Sequence, residues 1–333
     1  MNQSDFAIVI LNWNGSNLLS QFLPSVIKNS NNATIYVIDN ASTDHSVELL
    51  KNRFPQVKRI LLKENLGYAG GYKKGLEQIT ATYYCLLNSD IEVTPNWLTP
   101  ILEAFENDDQ LSVIQPKILD FNKKSHFEYA GAAGGFIDQL GYPYCQGRIF
   151  DSLEEDQKQY DKIKEIFWAS GACFFIKSKA FWEVGGFDVD YFAHQEEIDL
   201  CWRLQHLNHK ISVVPQTTVY HVGGASLNYQ NPQKTYLNFR NSLFNLFKNI
   251  PGIKFILILF LRMVLDGVAG IQFLLKGQIA NLFAILKAHF HFYVSVPKLI
   301  KKRKKITHNK IHIPVKSIVL EYFLKGNKKY SDI

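Results

Sequence analysis

Over the first ninety residues, apolar runs of strand length alternate with amphipathic stretches of helix length. Phe6–Leu11 is unbroken and rich in branched side chains, the pattern of a strand buried on both faces. Asn14-Gly15-Ser16-Asn17 makes a turn with helix-capping residues, and Leu18–Ile27 reads as a helix. Thr34–Ile38 is a second strand, stopped by a polar turn from Asp39 to Asp44, and Ser46–Asn52 is a second helix. Arg59–Leu62 and Tyr83–Leu87 continue the strand series, with a helix expected over Gly71–Thr80 between them. Strands separated by helices imply βαβ units and a twisted sheet with much parallel pairing. Ligands of such sheets bind beyond the carboxyl ends of the strands, and Asn12, Asp39, Asn88 and Asp90 lie at those ends.

The rhythm loosens from Ile114 to about Asp161, where glycines suggest turns and Asp151–Lys164 reads as a charged insertion. It returns at Phe167–Lys177, followed by Gly185-Gly186-Phe187-Asp188 and a helix over Glu196–Leu207. Ile211–Val214 and Val219–Val222 read as two short strands. Beyond Pro251 the character changes. Ile253–Leu275 and Ile279–Val296 are long apolar segments interrupted by few charges, and Lys301–Lys305 is a basic cluster.

Charge sharpens this division. The chain of 333 residues has a formal charge of +7, yet residues 298–333 hold eleven Lys and Arg against Glu321 and Asp332. That end is therefore +9 and the rest −2, which argues against a globule that coats nucleic acid. Cys85, Cys145, Cys173 and Cys201 are widely spaced, so neither a disulfide framework nor a zinc knuckle is expected. The N-terminal segment has no basic residue ahead of a short apolar run, so it does not read as a signal peptide, and a cytosolic location is expected.

Several residues suggest chemistry, each with a local alternative. Asp39 and Asp44 can bind a ribose or base, or can close an Asx turn and cap a helix. Asn65 to Gly71 is rich in glycine and precedes a helix, so its amides can approach a diphosphate; it matches neither nucleotide-loop motif in common use. Asn88-Ser89-Asp90 places two oxygen-bearing side chains two residues apart where a strand ends, which suits a hard divalent cation or a plain turn. Glu196-Glu197-Ile198-Asp199 concentrates acids at the start of a helix: they favour its dipole, and Asp199 can pair with Arg203. Close-set acids also raise one another's pKa, which suits a carboxylate that must take a proton. His221, beside Gly223 and Gly224, can be structural or can reach a metal as neutral imidazole.

Taken in order, the motifs LNWNG, VIDNASTD, NLGYAGG, LLNSD, WASGACFFIKSKAF with GGFD, EEIDLCWR and YHVGG resemble the family 2 glycosyltransferases of the GT-A fold. The likeness runs from about Phe6 to Asn241 and is nearest to bacterial rhamnosyltransferase-like members. It implies a GT-A type, Rossmann-like mixed α/β sheet flanked by helices, with a C-terminal helical extension that associates with a membrane. Residues 1–245 would form the catalytic domain, with a nucleotide-sugar half to about 115 and an acceptor half from 116. Residues 246–333 would carry the apolar helices and the polybasic tail.

By that resemblance Asn12, Asp39, Asn65, Gly67 and Asn88 bind the nucleotide-sugar donor. Asp90 and His221 hold Mg²⁺ or Mn²⁺, and Trp168, Gly171 and Asp199 line the acceptor side. Glu197, or its neighbour Glu196, is the base. Two positions depart from the family pattern: Asn88 stands where the metal motif usually begins with Asp, and Glu197 where the acidic pair usually ends in Asp. The implied activity is inverting, metal-dependent transfer of a sugar to a hydroxyl of a glycan or polyprenyl-linked glycan in surface-polysaccharide synthesis. Anionic lipids of the inner leaflet would be a further partner, and the cytoplasmic face of the inner membrane the location. A sugar-1-phosphate nucleotidyltransferase is the alternative enzyme, and a catalytically decayed membrane-bound partner protein the alternative to an enzyme.

Arg262 and Asp266 would sit in the middle of any span, at an i,i+4 spacing that lets them pair. A segment lying in the membrane interface is expected over a spanning one, and over a helical subdomain that merely packs on the catalytic core with a solvated basic tail.

Overall fold

The computed structural model describes residues 5–223 and 231–333; Gly224 of the last motif and Met1–Ser4 lie outside them. The strands are β1 (Phe6–Asn12), β2 (Thr34–Asp39), β3 (Lys58–Leu61), β4 (Tyr83–Asn88), β5 (Ile91–Val93), β6 (Leu111–Asp120), β7 (Gly135–Ile137), β8 (Pro143–Cys145), β9 (Arg148–Ile149), β10 (Ser152–Leu153), β11 (Lys164–Glu165), β12 (Cys173–Lys177) and β13 (Lys210–His221). The helices are α1 (Ser16–Asn29), α2 (Ser46–Arg53), α3 (Gly67–Leu76), α4 (Thr99–Asn107), α5 (Ser178–Glu183), α6 (Glu196–His206), α7 (Pro232–Asn249), α8 (Lys254–Leu275), α9 (Ile279–Arg303) and α10 (Ile318–Phe323).

The main sheet runs β11-β13-β6-β12-β4-β1-β2-β3, with β5 pairing on β13. Strands β4, β1, β2 and β3 are mutually parallel, whereas β12 is antiparallel to both β4 and β6, so the sheet is mixed. Strands β7 to β10 form a separate small antiparallel sheet. The parallel half places the site. After β1 the chain builds β2 and β3 on one side, then crosses to add β4 on the other, so the strand order reverses direction at β1. A crevice opens at such a point. Asn12 lies opposite Asp39 in the ladder and Leu11 opposite Asn88, so three polar strand ends share one edge.

Four differences from the sequence reading have physical causes. Helix α3 begins at Gly67, inside the glycine-rich stretch expected to precede it. Its glycines serve close packing: a Cβ at Gly71 would stand 2.8 Å from Leu11 Cδ1, and Gly75 lies against Ile38. Strand β6 is a long buried strand where the pattern loosens, because its polar side chains are satisfied from distant chain. Gln115 donates to the carbonyl of Gly131 at 3.0 Å and accepts from the Ser170 amide at 2.8 Å, and Lys117 pairs with Asp156 at 2.9 Å. The two short strands near Pro215 are a single β13 whose register slips between Val214 and Thr218, where proline offers no N–H to the ladder. Finally, α7 mixes polar residues into its buried face, where Asn241, Asn245 and Asn249 recur every fourth residue among Leu237, Phe244 and Phe247. The expected division near residue 245 falls inside this helix.

Helices α8 and α9 pair with each other and lie along α7. Both are long and apolar enough to cross a membrane. The cluster of Arg262, Asp266 and His289 points inward. Arg262 pairs with Asp266 at 2.8 Å and donates to Ser242 Oγ at 2.8 Å, and His289 stands 3.1 Å from Asp266. The outer face is apolar, with Phe260 63%, Phe283 63% and Phe290 64% exposed. The basic end is not simply solvated: Lys298 and Lys302 pair with Asp190 at 2.5 and 2.6 Å, and Ile318 docks against Tyr144 and Ile149 of the small sheet.

Candidate active site

The donor-side residues form one hydrogen-bonded rim. Asn12 donates to Asp39 Oδ2 at 3.1 Å and to Ser42 Oγ at 3.2 Å, while Asp39 Oδ1 accepts from the Ser42 amide at 2.9 Å. Asp39 therefore closes an Asx-type turn as well as marking the strand end. Asn65 is held by Asn40, whose Nδ2 reaches Asn65 Oδ1 at 2.9 Å and the Gly67 carbonyl at 3.1 Å; Asn65 Oδ1 also accepts from the Gly67 amide. Gly67 has φ +70°, and a side chain there would run into Phe192. Buried Asn12 Oδ1 has no partner of its own and faces the turn at Gly15, where an added Cβ would also approach Ser89.

Asp90 and His221 meet. His221 Nε2 stands 3.1 Å from Asp90 Oδ1, and its Nδ1 stands 3.1 Å from Glu128 Oε2. Asn88 Nδ2 is 3.5 Å from the same Nε2. Burial works against a charged imidazole, yet Asp90 and Glu128 on either side push its pKa up to about 10. Burial likewise opposes the Asp90 carboxylate, and His221 brings its pKa down. Among the described residues no three His, Cys, Asp or Glu side chains converge into a preformed metal cage. The pair nevertheless fits a divalent ion. Two neighbouring ligands of an octahedral cation, each bound at about 2.1 Å, stand about 3.0 Å apart, close to the separation of Nε2 and Oδ1. Glu128 at Nδ1 supplies the carboxylate behind a ligating histidine that commonly fixes its tautomer.

Glu196 and Glu197 open α6 directly after a strained loop. Phe192, His194 and Gln195 all have left-handed φ, at +64°, +68° and +70°. Asn241 of α7 holds this loop, its Nδ2 lying 3.1, 2.9 and 2.7 Å from the carbonyls of Tyr191, Ala193 and His194. Asn245 accepts from the Tyr191 hydroxyl at 2.6 Å. Glu196 is buried, and its pKa is raised well above normal by that burial and by Glu197. Burial raises Glu197 to about 7, against the pull of backbone amides. Each carboxylate keeps one buried oxygen without a partner.

Gly171 connects the two acidic groups. A Cβ at Gly171 would lie 3.9 Å from Glu197 Cδ, and the Tyr68 hydroxyl donates to the Gly171 carbonyl at 2.6 Å. The next carbonyl, of Ala172, accepts from the Asn88 amide at 2.9 Å. The strand end at Asn88 and the carboxylate of Glu197 therefore both adjoin the Gly171–Ala172 stretch.

Two residues expected on the acceptor side are buried. Asp199 is fully buried, 2.8 Å from both Arg203 and Lys248 and accepting from Asn249 at 3.1 Å; it turns into the core because its place on α6 carries it to the face away from Glu197's neighbours. Trp168 is 4% exposed, with its ring beneath Gly135 and its N–H on the Phe136 carbonyl at 2.9 Å, so it is a wedge under the small sheet. Glu128, Asn40, Tyr68 and Asn241 join the site only through tertiary contacts. Asn40 and Tyr68 at least fall inside motifs; Glu128 and Asn241 carry no local signal.

The family profile for glycosyl transferase family 2 matches residues 7–185, more than half the chain. The chain belongs to that family. The sequence is 24% identical over 233 residues to an N-acetylglucosaminyl-diphospho-decaprenol L-rhamnosyltransferase of Mycobacterium tuberculosis (strain CDC 1551 / Oshkosh), covering 64% of this chain and 75% of the relative. Among solved structures, S. aureus TarS 1-349 in complex with UDP-GlcNAc superposes with a TM-score of 0.57 at 14% identity, covering 89% of this chain and 83% of TarS. A mannosyltransferase from Pyrobaculum calidifontis in complex with GDP-Man and Mn²⁺ superposes at 0.51 and 13% identity, covering 88% of this chain and 75% of that one. These likenesses show the fold expected for the family, and the chain is a glycosyltransferase. Glu197, His221 and α7 all lie beyond the profile's last matched residue.

Proposed function

We propose that this glycosyltransferase moves a sugar from a nucleotide-diphosphate donor to a hydroxyl of a lipid-linked glycan, with inversion at the anomeric carbon. The unpartnered Glu197 oxygen beside Gly171, next to the strand end that bears Asp90, is the observation that carries the reading. Asn12, Asp39, Asn65 and Gly67 line the donor rim. Glu197, poised near neutral pH, takes the proton of the attacking hydroxyl, and burial disfavours the charged form of Glu196 beside it. A divalent cation held by Asp90 and His221, when bound, supplies positive charge against the departing diphosphate. With a single base and a single displacement, the acceptor oxygen arrives on the face opposite the leaving group, as water does in inverting glycosidases.

The acceptor class is supported by the mycobacterial relative, whose name specifies a diphospho-decaprenol substrate. It is supported also by the apolar outer face of α8 and α9. With Arg262, Asp266 and His289 turned onto α7 and Tyr142, the pair suits a helical hairpin lying in a membrane interface, domain on one side and acyl chains on the other. We place the enzyme on a cytoplasmic membrane face.

The test is turnover of a panel of nucleotide sugars with Mn²⁺ or Mg²⁺ and a lipid-linked acceptor. Wild type transfers one of them, and Glu197→Gln and Asp90→Ala each lose about 10²–10⁴-fold, the usual worth of a general base. Equal activity in wild type and both variants removes the assignment.

A further inference from the structure

A cavity of about 520 Å³ lies between the Gly185–Val189 turn, the C-terminal part of α6 and the chain just after α9. Cations outnumber acids in its lining, and most of them are committed. Arg203 holds Asp199 and the carbonyls of Val184 and Gly186; Lys248 bridges Asp188 and Asp199; Lys302 bridges Asp188 and Asp190. Among the described residues Lys73 and Lys305 have no acidic partner. Val184, Leu207 and Ile306 share the lining, so the cavity offers unneutralised ammonium groups beside apolar side chains.

Its position narrows the ligand. Phe187 forms one wall and packs on Tyr68 with ring centroids 5.7 Å apart, so a layer of aromatic rings separates this cavity from the carboxylates near Gly171. A sugar reacting at Glu197 is not the molecule that fills it. The cavity lies instead at the base of the α8–α9 hairpin, where Arg303 donates to the Gly252 carbonyl at 3.0 Å and so joins the end of α9 to the start of α8.

We propose that this cavity seats the phosphate of an anionic membrane phospholipid. Lys73 and Lys305 meet the phosphodiester, and the apolar side chains cover the glycerol and first methylenes. The assignment rests on the membrane seat proposed for the hairpin. It differs from diffuse attraction of a basic tail to a charged surface in requiring two particular lysines.

The experiment uses the full chain and compares co-sedimentation with phosphatidylcholine vesicles and with vesicles containing phosphatidylglycerol. Lys73→Ala/Lys305→Ala is set against Lys301→Ala/Lys304→Ala, which removes equal charge from outside the cavity. The first pair loses at least ten times more affinity for the anionic vesicles than the second; equal losses overturn the site. Soluble dihexanoyl phosphatidylglycerol raises the melting temperature of wild type and not of the cavity variant, a readout independent of vesicles. Lys73→Gln/Lys305→Gln repeats both measurements should the alanine pair fold poorly. Wild type that ignores all vesicles yet keeps the soluble-lipid shift defeats the membrane seat and leaves the cavity assignment standing; absence of the shift defeats the cavity. A raised KM for detergent-dispersed lipid-linked acceptor in the cavity variant, with phosphatidylglycerol binding intact, gives the cavity to the acceptor's phosphate and overturns the proposal.

Discussion

The base role proposed for Glu197 conflicts with stability. Its pKa is raised to about 7 by burial, so kcat/KM should climb with pH up to about 7 and then level. A carboxyl whose folded pKa exceeds its unfolded value favours folding most when protonated, and that advantage fades as pH rises through the folded value. Glu197→Gln should therefore abolish most turnover while raising the melting temperature at pH 8 more than at pH 5. Equal shifts at both pH values, measured by calorimetry, would contradict the buried, unpartnered carboxylate. Glu128 makes a second residue-scale prediction. Glu128→Gln removes the carboxylate behind His221 and should weaken Mn²⁺ binding about 10–100-fold, the usual cost of losing such an orienting group. Isothermal titration without donor reads this directly.

Among the elements, α7 carries its consequential contacts on polar side chains. Asn241 and Asn245 face the loop that precedes Glu196, and Asn241 alone contacts three carbonyls there. Left-handed non-glycine residues persist only where surroundings over-determine them, at about 1–3 kcal/mol each. Asn241→Leu fills the same space without donors, so the loop should relax. The expected result is a drop in kcat of tenfold or more at little changed donor affinity, with about 1–3 kcal/mol lost from unfolding stability through the orphaned carbonyls. An unchanged kcat would mean that the loop keeps its shape without the amide. Helix α3 is the contrasting case. Its glycines look like a phosphate loop in the sequence, yet Gly71 and Gly75 lie against Leu11 and Ile38 of the sheet, so packing explains their absence of side chains.

At the scale of the whole molecule, an apolar sheet interior and an apolar helical exterior are joined by a charged seam. Arg262, Asp266 and His289 lie on the inner side of the hairpin, and Phe260, Phe283 and Phe290 on the outer. This is the reverse of a soluble helix pair, and it predicts where substitutions matter. Phe260→Asp/Phe283→Asp should abolish vesicle binding while leaving turnover of donor on a water-soluble acceptor analogue intact. Arg262→Met strips Asp266 of its guanidinium partner, leaving His289 beside it, and should destabilise the fold by up to about 3–5 kcal/mol, the cost of breaking a buried ion pair. Thermal unfolding in detergent separates the two effects.

Much of this was fixed locally. Continuous apolar runs specified β1, β2 and β4, polar turns set their ends, and the order of motifs from Asn12 to His221 was enough to point to the family. Two kinds of feature were decided only by tertiary contact. Buried polar side chains hid β6 and α7, since Gln115, Lys117 and the α7 asparagines become core residues only when carbonyls and carboxylates from remote segments satisfy them. Side-chain direction separated neighbours that the sequence treats alike: Glu197 keeps an open oxygen at Gly171, whereas Asp199, two positions on, enters an ion cluster with Arg203 and Lys248. Hydrophobic period is a property of contiguous residues and can be read along the chain. The pairing of a buried charge or amide is a property of the fold, because its partner arrives from dozens of residues away.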